Sequence, residues 1–215
     1  MKKEYSFKKQ IKQIWNFIWN DDSIYSWVIN ILLAFLIIKF LLYPGLGLLL
    51  GTNLPVVAVI SESMDHKMPF DEWWGETSFC NINSPCPYSQ GSWYLEHNIS
   101  KEQFKDFKLH KGFVRGDVIS LKGVKPEDIN VGDVIVYDAK LPYPIIHRVI
   151  EINKEGDEFI FTTKGDHNPY PINSNTLNET NIHGSQVRGK AQLRIPFVGY
   201  VRLLAADLVN FILSK

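Results

Sequence analysis

The strongest constraint on the fold is a run of mostly apolar residues from Ile24 to Tyr43, which Asn30 and Lys39 interrupt. A helix of this length is about 30 Å long, which matches the hydrocarbon core of a bilayer. A buried core helix and a cleaved secretory signal have a similar form. However, the run is apolar on all faces and lacks a clear small-residue cleavage site. We therefore predict an uncleaved transmembrane helix over 24–43, which Pro44 and Gly45 would end.

Five lysines lie between Lys2 and Lys12 with Glu4 as the one acidic residue among them, and Asp21 and Asp22 follow just before the run. This charge bias predicts a single-pass protein of the cell membrane with a cytoplasmic N-terminus and an extracytoplasmic remainder. Segment 1–23 also has apolar residues at helical spacing. That pattern is typical of a basic amphipathic helix on the bilayer surface, although a short solvated helix fits equally well. The lipid bilayer is thus a predicted partner.

The remainder of the chain is about one domain in size. The whole chain has equal numbers of basic and acidic residues (23 each), which does not favour nucleic acid as a partner. Short runs of β-forming residues follow one another from Val114 onward, separated by Gly, Pro, Asn and Asp. They predict a mainly β fold with a coiled or barrel-like sheet. The predicted strands are Val118–Leu121, Val134–Tyr137, Ile145–Ile152, Glu158–Thr163 and Val187–Leu193.

Two polar residues stand out because each lies in an apolar stretch with the character of a strand. Ser63 precedes Met64 after the run Val56–Ile60, and His147 precedes Arg148 more than eighty residues later. A serine hydroxyl is a poor nucleophile until a base within hydrogen-bonding reach takes its proton, and imidazole titrates in the suitable range. The pair therefore suggests a serine nucleophile, Ser63, with His147 as its general base.

The surrounding motifs are Arg115-Gly116-Asp117, Val131-Gly132-Asp133 and Thr163-Lys164-Gly165-Asp166. Together with the serine and histidine segments, and in this order, they resemble the motif boxes of type I signal peptidases over about residues 56–202. These are membrane-bound serine endopeptidases that remove signal peptides. The His147-Arg148 pair resembles the archaeal and endoplasmic-reticulum branch, since the bacterial branch has a lysine where His147 stands.

The resemblance also implies an oxyanion hole and a third catalytic residue. The backbone N–H of Ser63 and the hydroxyl of Ser61 are the implied oxyanion donors. The aspartate that usually holds the histidine is missing, because Ile172 or Asn173 stands where it would fall. Asp166 is the remaining candidate for the acid, with a structural carboxylate in a turn as the alternative. His66 and His167 lie near these motifs in sequence and are predicted to be solvated.

Segment 65–113 separates the serine motif from the next one by more than is usual in the family, and we predict an inserted subdomain there. Ser100 to Lys108 reads as a short capped helix within it. Cys80 and Cys86 flank a turn-rich loop, which favours a disulfide over free thiols outside the cell. No matching ligand pair supports a zinc site, and no metal or cofactor is expected. Asn178-Glu179-Thr180 matches a glycosylation acceptor pattern of low specificity.

The predicted organisation is therefore a cytoplasmic segment, an anchor, a membrane-proximal segment with the serine motif over 44–64, the insert, a β-rich core over 114–202 and a C-terminal membrane-surface helix over 203–215. The function implied by the resemblance is removal of signal peptides from exported preproteins, with accessory subunits left open. The alternative is an inactive, membrane-tethered peptide-binding or scaffold subunit of the same fold. The missing aspartate and the long insert favour that alternative, whereas retention of Ser61, Ser63 and His147 favours the enzyme.

Overall fold

A computed structural model of the chain describes residues 2–81 and 84–200. The chain divides into two compact units, residues 1–49 and residues 50–215. The C-terminal helix predicted over 203–215 lies outside the described residues.

The first unit is helical, and partly buried hydrogen bonds join its helices α1 and α2. Helix α1 spans Lys2–Asn20, and Ser23 caps the start of helix α2, Ile24–Ile37. The Ser26 hydroxyl donates to the carbonyl oxygen of Phe17 at 2.6 Å, and the side-chain amide of Asn30 donates to that of Ile18 at 2.8 Å. These bonds satisfy polar groups that the apolar surface of α2 would otherwise leave without partners.

The apolar helix does not end at Pro44, and the prediction that it does was wrong. A π-helical turn, Ile38–Leu42, follows α2 and leads directly into helix α3, Tyr43–Leu50. Proline lacks an N–H and fits poorly in a regular helix interior, but a wider turn ahead of it can absorb this defect. The helix then ends before Gly51, which has a positive φ of 64° as is common for a residue after a helix.

The continuous helix Ile24–Leu50 has 27 residues and is long and apolar enough to cross a membrane by length and composition. It is the one such helix among the described residues, 2–81 and 84–200. Its length exceeds the roughly 20 residues that a bilayer core requires.

The second unit contains a seven-stranded antiparallel sheet, and the mainly β prediction is confirmed. The described residues form the strands β1 (Val56–Ala58), β2 (Thr77–Asn81), β3 (Ser84–Ser89), β4 (Val118–Lys122), β5 (Val134–Tyr137), β6 (Ile145–Glu155), β7 (Glu158–Lys164), β8 (Ile182–His183) and β9 (Val187–Ile195). In the large sheet the order is β1-β4-β9-β5-β6-β7-β8, and β2 pairs with β3 as a separate hairpin. Each of the five strands predicted by residue range is present.

Segment 65–113 forms helices α4 (Phe70–Gly75), α5 (Gln90–Glu96) and α6 (Lys101–Asp106) around the β2–β3 hairpin. We call it the insert. Its aromatic side chains pack into one cluster that also takes in Ile150 of β6, so the insert shares a core with the sheet. The buried members from the insert are Phe70, Trp73, Trp74, Trp93, Tyr94, Ile99 and Phe104. The predicted capped helix is α6, with Ser100 as its N-cap.

A disulfide joins Cys80 of β2 to Cys86 of β3, as the sequence favoured. It closes a short loop, because the two cysteines are six positions apart. Cross-linking restricts the unfolded chain, and a loop of this size corresponds to about 2 kcal/mol.

We therefore expect the double variant Cys80→Ser/Cys86→Ser to lower the free energy of unfolding of the extramembrane unit by about 2 kcal/mol, as measured by denaturant titration. Dithiothreitol should lower the stability of the native protein by a similar amount and leave the double variant unaffected. An equal effect of the reductant on both proteins would contradict a structural role for this disulfide.

Candidate active site

The structure brings Ser63 and His147 together although they are 84 positions apart in the chain. Ser63 lies a few residues after the end of β1. The N–H of Val59 donates to the carbonyl of Asp117 at 2.8 Å, which fixes the start of the segment that leads from β1 to Ser63. His147 lies in β6, opposite Ile135 of the central strand β5. The distance from Ser63 Oγ to His147 Nε2 is 2.8 Å. His147 is almost fully buried, which restricts its ring to this orientation.

The other ring nitrogen of His147 contacts a glutamate that the sequence analysis did not assign. His147 Nδ1 makes a short hydrogen bond to Glu179 Oε1, and Glu179 is fully buried. The same carboxylate oxygen accepts from the hydroxyls of Tyr137 and Thr163, each at 3.2 Å. Since a carboxylate accepts the Nδ1 proton, Nε2 is left free to accept the proton of Ser63.

Glu179 reaches this position because residues 172–179 close into a loop. The backbone N–H of Glu179 donates to the carbonyl of Ile172 at 2.8 Å, and the N–H of Ile172 donates to Glu179 Oε2 at 2.7 Å. Glu179 therefore lies beside the position where the family resemblance places an aspartate. The sequence holds one sign of this role, because Glu179 is a carboxylate shortly after Ile172 and Asn173, where the aspartate is missing. Glu179 is also the middle residue of the glycosylation pattern, which draws attention away from a catalytic role.

Asp166, the predicted acid, has other partners. Its two carboxylate oxygens accept from Arg148 Nε at 2.8 Å and Arg148 Nη2 at 2.7 Å, in a two-pronged ion pair. Tyr94 Oη donates to Oδ1 and His66 Nε2 to Oδ2, both at 3.1 Å. The prediction that Asp166 holds the His147 imidazole does not agree with these contacts, because Glu179 occupies the Nδ1 side of that ring.

These contacts also set the charge state of the Asp166 cluster. Burial raises the pKa of Asp166, but the Arg148 charge and the hydrogen bonds from His66 and Arg148 outweigh it, so that this pKa lies well below its usual value. Burial, followed by the charge of Asp166, raises the pKa of Tyr94 well above its ordinary value. Asp166 is therefore an anion at neutral pH and the Tyr94 hydroxyl remains a donor.

The loop that carries Asp166 packs closely against Ser63 and His147. The N–H of His167 donates to the carbonyl of Ser63 at 2.8 Å. At Gly165, an added Cβ would lie 2.8 Å from the Ser63 carbonyl oxygen and 2.9 Å from His147 Nε2, so any side chain there would clash. Glycine allows this close approach. His66 is buried and His167 is partly buried, which corrects the prediction that both are solvated.

Ser61 lies next to the nucleophile on the exposed side of the site. The distance between Ser61 Oγ and Ser63 Oγ is 3.1 Å, within hydrogen-bonding range. A hydroxyl so placed can donate to an oxygen that develops negative charge near Ser63. A serine bound to an imidazole, itself held by a buried carboxylate, is an arrangement that supports acyl transfer.

The side chain of Lys164 is fully buried close to this cluster. Its Nζ donates to Gln90 Oε1 at 3.3 Å and to the carbonyl oxygens of Gly165 and Asp166, each at 3.2 Å. Burial lowers the pKa of Lys164 to about 7, against the opposing attraction of Asp166 and Glu179. The folded protein therefore holds this proton less tightly than the unfolded chain does.

This shift predicts how stability depends on pH. Between pH 7 and pH 10 the unfolded chain binds a proton on Lys164 that the folded protein has released, so the free energy of unfolding rises with pH. We expect native protein to gain about 3 kcal/mol over this range relative to Lys164→Met, by denaturant titration of both. Loss of the lysine hydrogen bonds shifts the variant's curve without changing its slope. Parallel curves would contradict the assignment, and Lys122→Met, at an exposed lysine, is the matched control.

Comparison with known proteins gives similarity to catalytic subunits of the signal peptidase complex. The chain is 30% identical over 111 residues to the signal peptidase complex catalytic subunit SEC11C of Homo sapiens. It is 32% identical over 110 residues to the catalytic subunit SEC11 of Clavispora lusitaniae. No protein-family model matches the sequence.

Each match covers 48% of this chain, together with 55% of the human protein and 63% of the yeast protein. The chain thus spans little more than half the length of the curated relatives it matches. The resemblance to signal peptidases of the endoplasmic-reticulum and archaeal branch, predicted from the motifs, is confirmed by these similarities.

Proposed function

We propose that this protein is a membrane-anchored serine endopeptidase that removes signal peptides from exported preproteins. The observation that carries the proposal is the hydrogen-bonded series Ser63, His147 and Glu179, in a chain similar to signal peptidase catalytic subunits. Similarity supplies the substrate class, and the geometry of the three residues supplies the chemistry.

In the proposed mechanism Ser63 Oγ attacks the carbonyl carbon of the scissile peptide bond while His147 Nε2 accepts the hydroxyl proton. Glu179 holds the Nδ1 proton and stabilises the imidazolium that forms. The Ser63 N–H and the Ser61 hydroxyl donate to the oxyanion. His147 then gives its proton to the leaving amine. A water molecule, activated by the same imidazole, hydrolyses the acyl-enzyme.

The anchor and its orientation belong to the same proposal. Helix Ile24–Leu50 has the length and composition to span the bilayer, and the lysines of segment 1–23 favour a cytoplasmic N-terminus. The catalytic unit would then lie outside the cytoplasm, joined directly to the end of the helix. Such a tether suits a protease whose substrates emerge from a membrane.

The alternative, an inactive scaffold subunit, loses one of its two supports. It rested partly on the missing aspartate, and Glu179 brings a buried carboxylate to the ring nitrogen that the aspartate would serve. A subunit that only binds peptides has no use for an aligned serine and imidazole.

The direct test is incubation of the detergent-solubilised protein with a preprotein whose signal ends in Ala-x-Ala. We expect one cut after the second alanine, located by N-terminal sequencing of the product. Ser63→Ala and His147→Ala should each abolish it while the circular dichroism spectrum stays native, because neither group is replaced by water at a comparable rate. Substantial cleavage by either folded variant would contradict the mechanism.

The role of Glu179 is tested by Glu179→Gln. We expect kcat to fall by about 10³–10⁴-fold in a folded protein, because an amide can stabilise the wrong tautomer of His147 and cannot stabilise its cation. Glu158→Gln is a matched control, since Glu158 Oε1 contacts His183 Nδ1 at 2.8 Å on the exposed surface. Near-normal turnover of a folded Glu179→Gln enzyme would show that Ser63 and His147 work without an acid.

A further inference from the structure

Polar side chains of the insert contact the 164–167 loop, which carries Asp166 and packs against Ser63. Asp166 accepts four hydrogen bonds, two from Arg148 and one each from His66 and Tyr94. His66 and Tyr94 both belong to the insert, and both are almost fully buried. Half of the donors that surround this buried carboxylate thus come from the inserted segment.

A third insert residue holds the backbone of the same loop. Gln90 is buried at the start of α5, and its Nε2 donates to the carbonyl of His167 at 3.1 Å. Its Oε1 accepts from Lys164 Nζ, which in turn donates to the carbonyls of Gly165 and Asp166. One buried amide therefore joins the insert to three successive residues of the loop, directly or through Lys164.

The insert's aromatic cluster fixes these donors in place. The His66 ring stacks on Trp73 with centroids 3.7 Å apart and an interplanar angle of 1°. Its Nδ1 is buried and has no hydrogen-bond partner among the described residues, so no other contact competes for the orientation of the ring. Because Asp166 is an acceptor, His66 Nε2 must carry the proton and donate.

The 164–167 loop, which His66, Gln90 and Tyr94 hold, is in direct contact with Ser63 and its neighbours. The His167 N–H binds the Ser63 carbonyl, the Asp166 N–H lies 3.3 Å from Met64 Sδ, and Gly165 is packed against His147 Nε2. A displacement of this loop would move the carbonyl of Ser63 and the space beside the imidazole. Misplacement by about 1 Å can cost about 10²-fold in rate.

We propose that His66, Gln90 and Tyr94 are positioning residues that act through the 164–167 loop on Ser63, so that the insert is a working part of the active site. This inference rests on the proposed serine chemistry of Ser63 and goes beyond it. It assigns a role to a segment that the motif resemblance leaves without one.

The experiment compares His66→Leu, His66→Gln and Tyr94→Phe. Glutamine can place an N–H near the position of the histidine Nε2, whereas leucine fills similar space without a donor. We expect His66→Leu to lower kcat for the Ala-x-Ala preprotein at least tenfold with KM little changed, and His66→Gln to recover most of that loss. Tyr94→Phe, which removes a single hydroxyl, should lower kcat about three- to tenfold.

The matched control is Ser100→Ala, which removes the N-cap of α6 in the same insert and leaves every contact to the loop in place. It should lower the unfolding temperature of the extramembrane unit while kcat per folded molecule stays native. The proposal is overturned if folded His66→Leu and Tyr94→Phe keep native kcat, or if Ser100→Ala reduces kcat as much as they do.

A second measurement separates the positioning role from the proposal that signal peptides are the substrate. It is the rate at which a fluorophosphonate labels Ser63, because labelling needs an activated serine but no signal peptide. Slower labelling in His66→Leu, restored in His66→Gln, supports the positioning role even if the preprotein is not cut. Equal labelling rates in all folded variants reject the positioning role even if the native protein cuts the preprotein as proposed.

Discussion

The buried ion pair between Arg148 and Asp166 is the contact on which the catalytic unit depends. Both side chains are fully buried, so the pair is tolerable only because their remaining polar atoms are also satisfied. Arg148 Nη1 donates to the carbonyls of Lys108 and Gly132, and Nη2 donates to that of Leu109. The guanidinium thereby joins strand β6 to the end of the insert, to the turn before β5 and to the loop after β7.

The same pair explains why the site needs two carboxylates. Successive residues of a strand point to opposite faces, so His147 and Arg148 of β6 face away from each other. Asp166, which is committed to Arg148 on one face, is poorly placed to serve the imidazole on the other. Glu179 meets that need from the loop that closes on Ile172, and it has its own donors in Tyr137 and Thr163.

Local patterns in the sequence predicted the strands, the α6 helix cap and the two parts of the site whose motifs are local, Ser63 and His147. The failures at Glu179 and His66 concern non-local contacts, whereas the failure at Pro44 concerns a local adjustment of the helix. The role of Glu179 as the acid could not be assigned because its contact with His147 depends on the closure of an eight-residue loop, 172–179. No periodic pattern in the sequence predicts that closure. The burial of His66 depends on stacking against Trp73 within a cluster assembled from three helices. The helix continued past Pro44 because a π-helical turn accommodates the proline, and no propensity scale encodes that adjustment.

Lys164 shows why the insert and the sheet have to be considered together. In the β6–β7 ladder it stands opposite Arg148, and two like charges in that relation repel each other. Asp166 neutralises Arg148, which leaves Lys164 with neutral acceptors and with the ring faces of Trp93 and Tyr94, at 5.0 and 4.7 Å from its Nζ. Both rings come from the insert and stabilise the ammonium by cation–π attraction. Without these rings, burial would lower the pKa of Lys164 still further, and the protonated side chain that donates to the loop carbonyls beside Ser63 would be less stable.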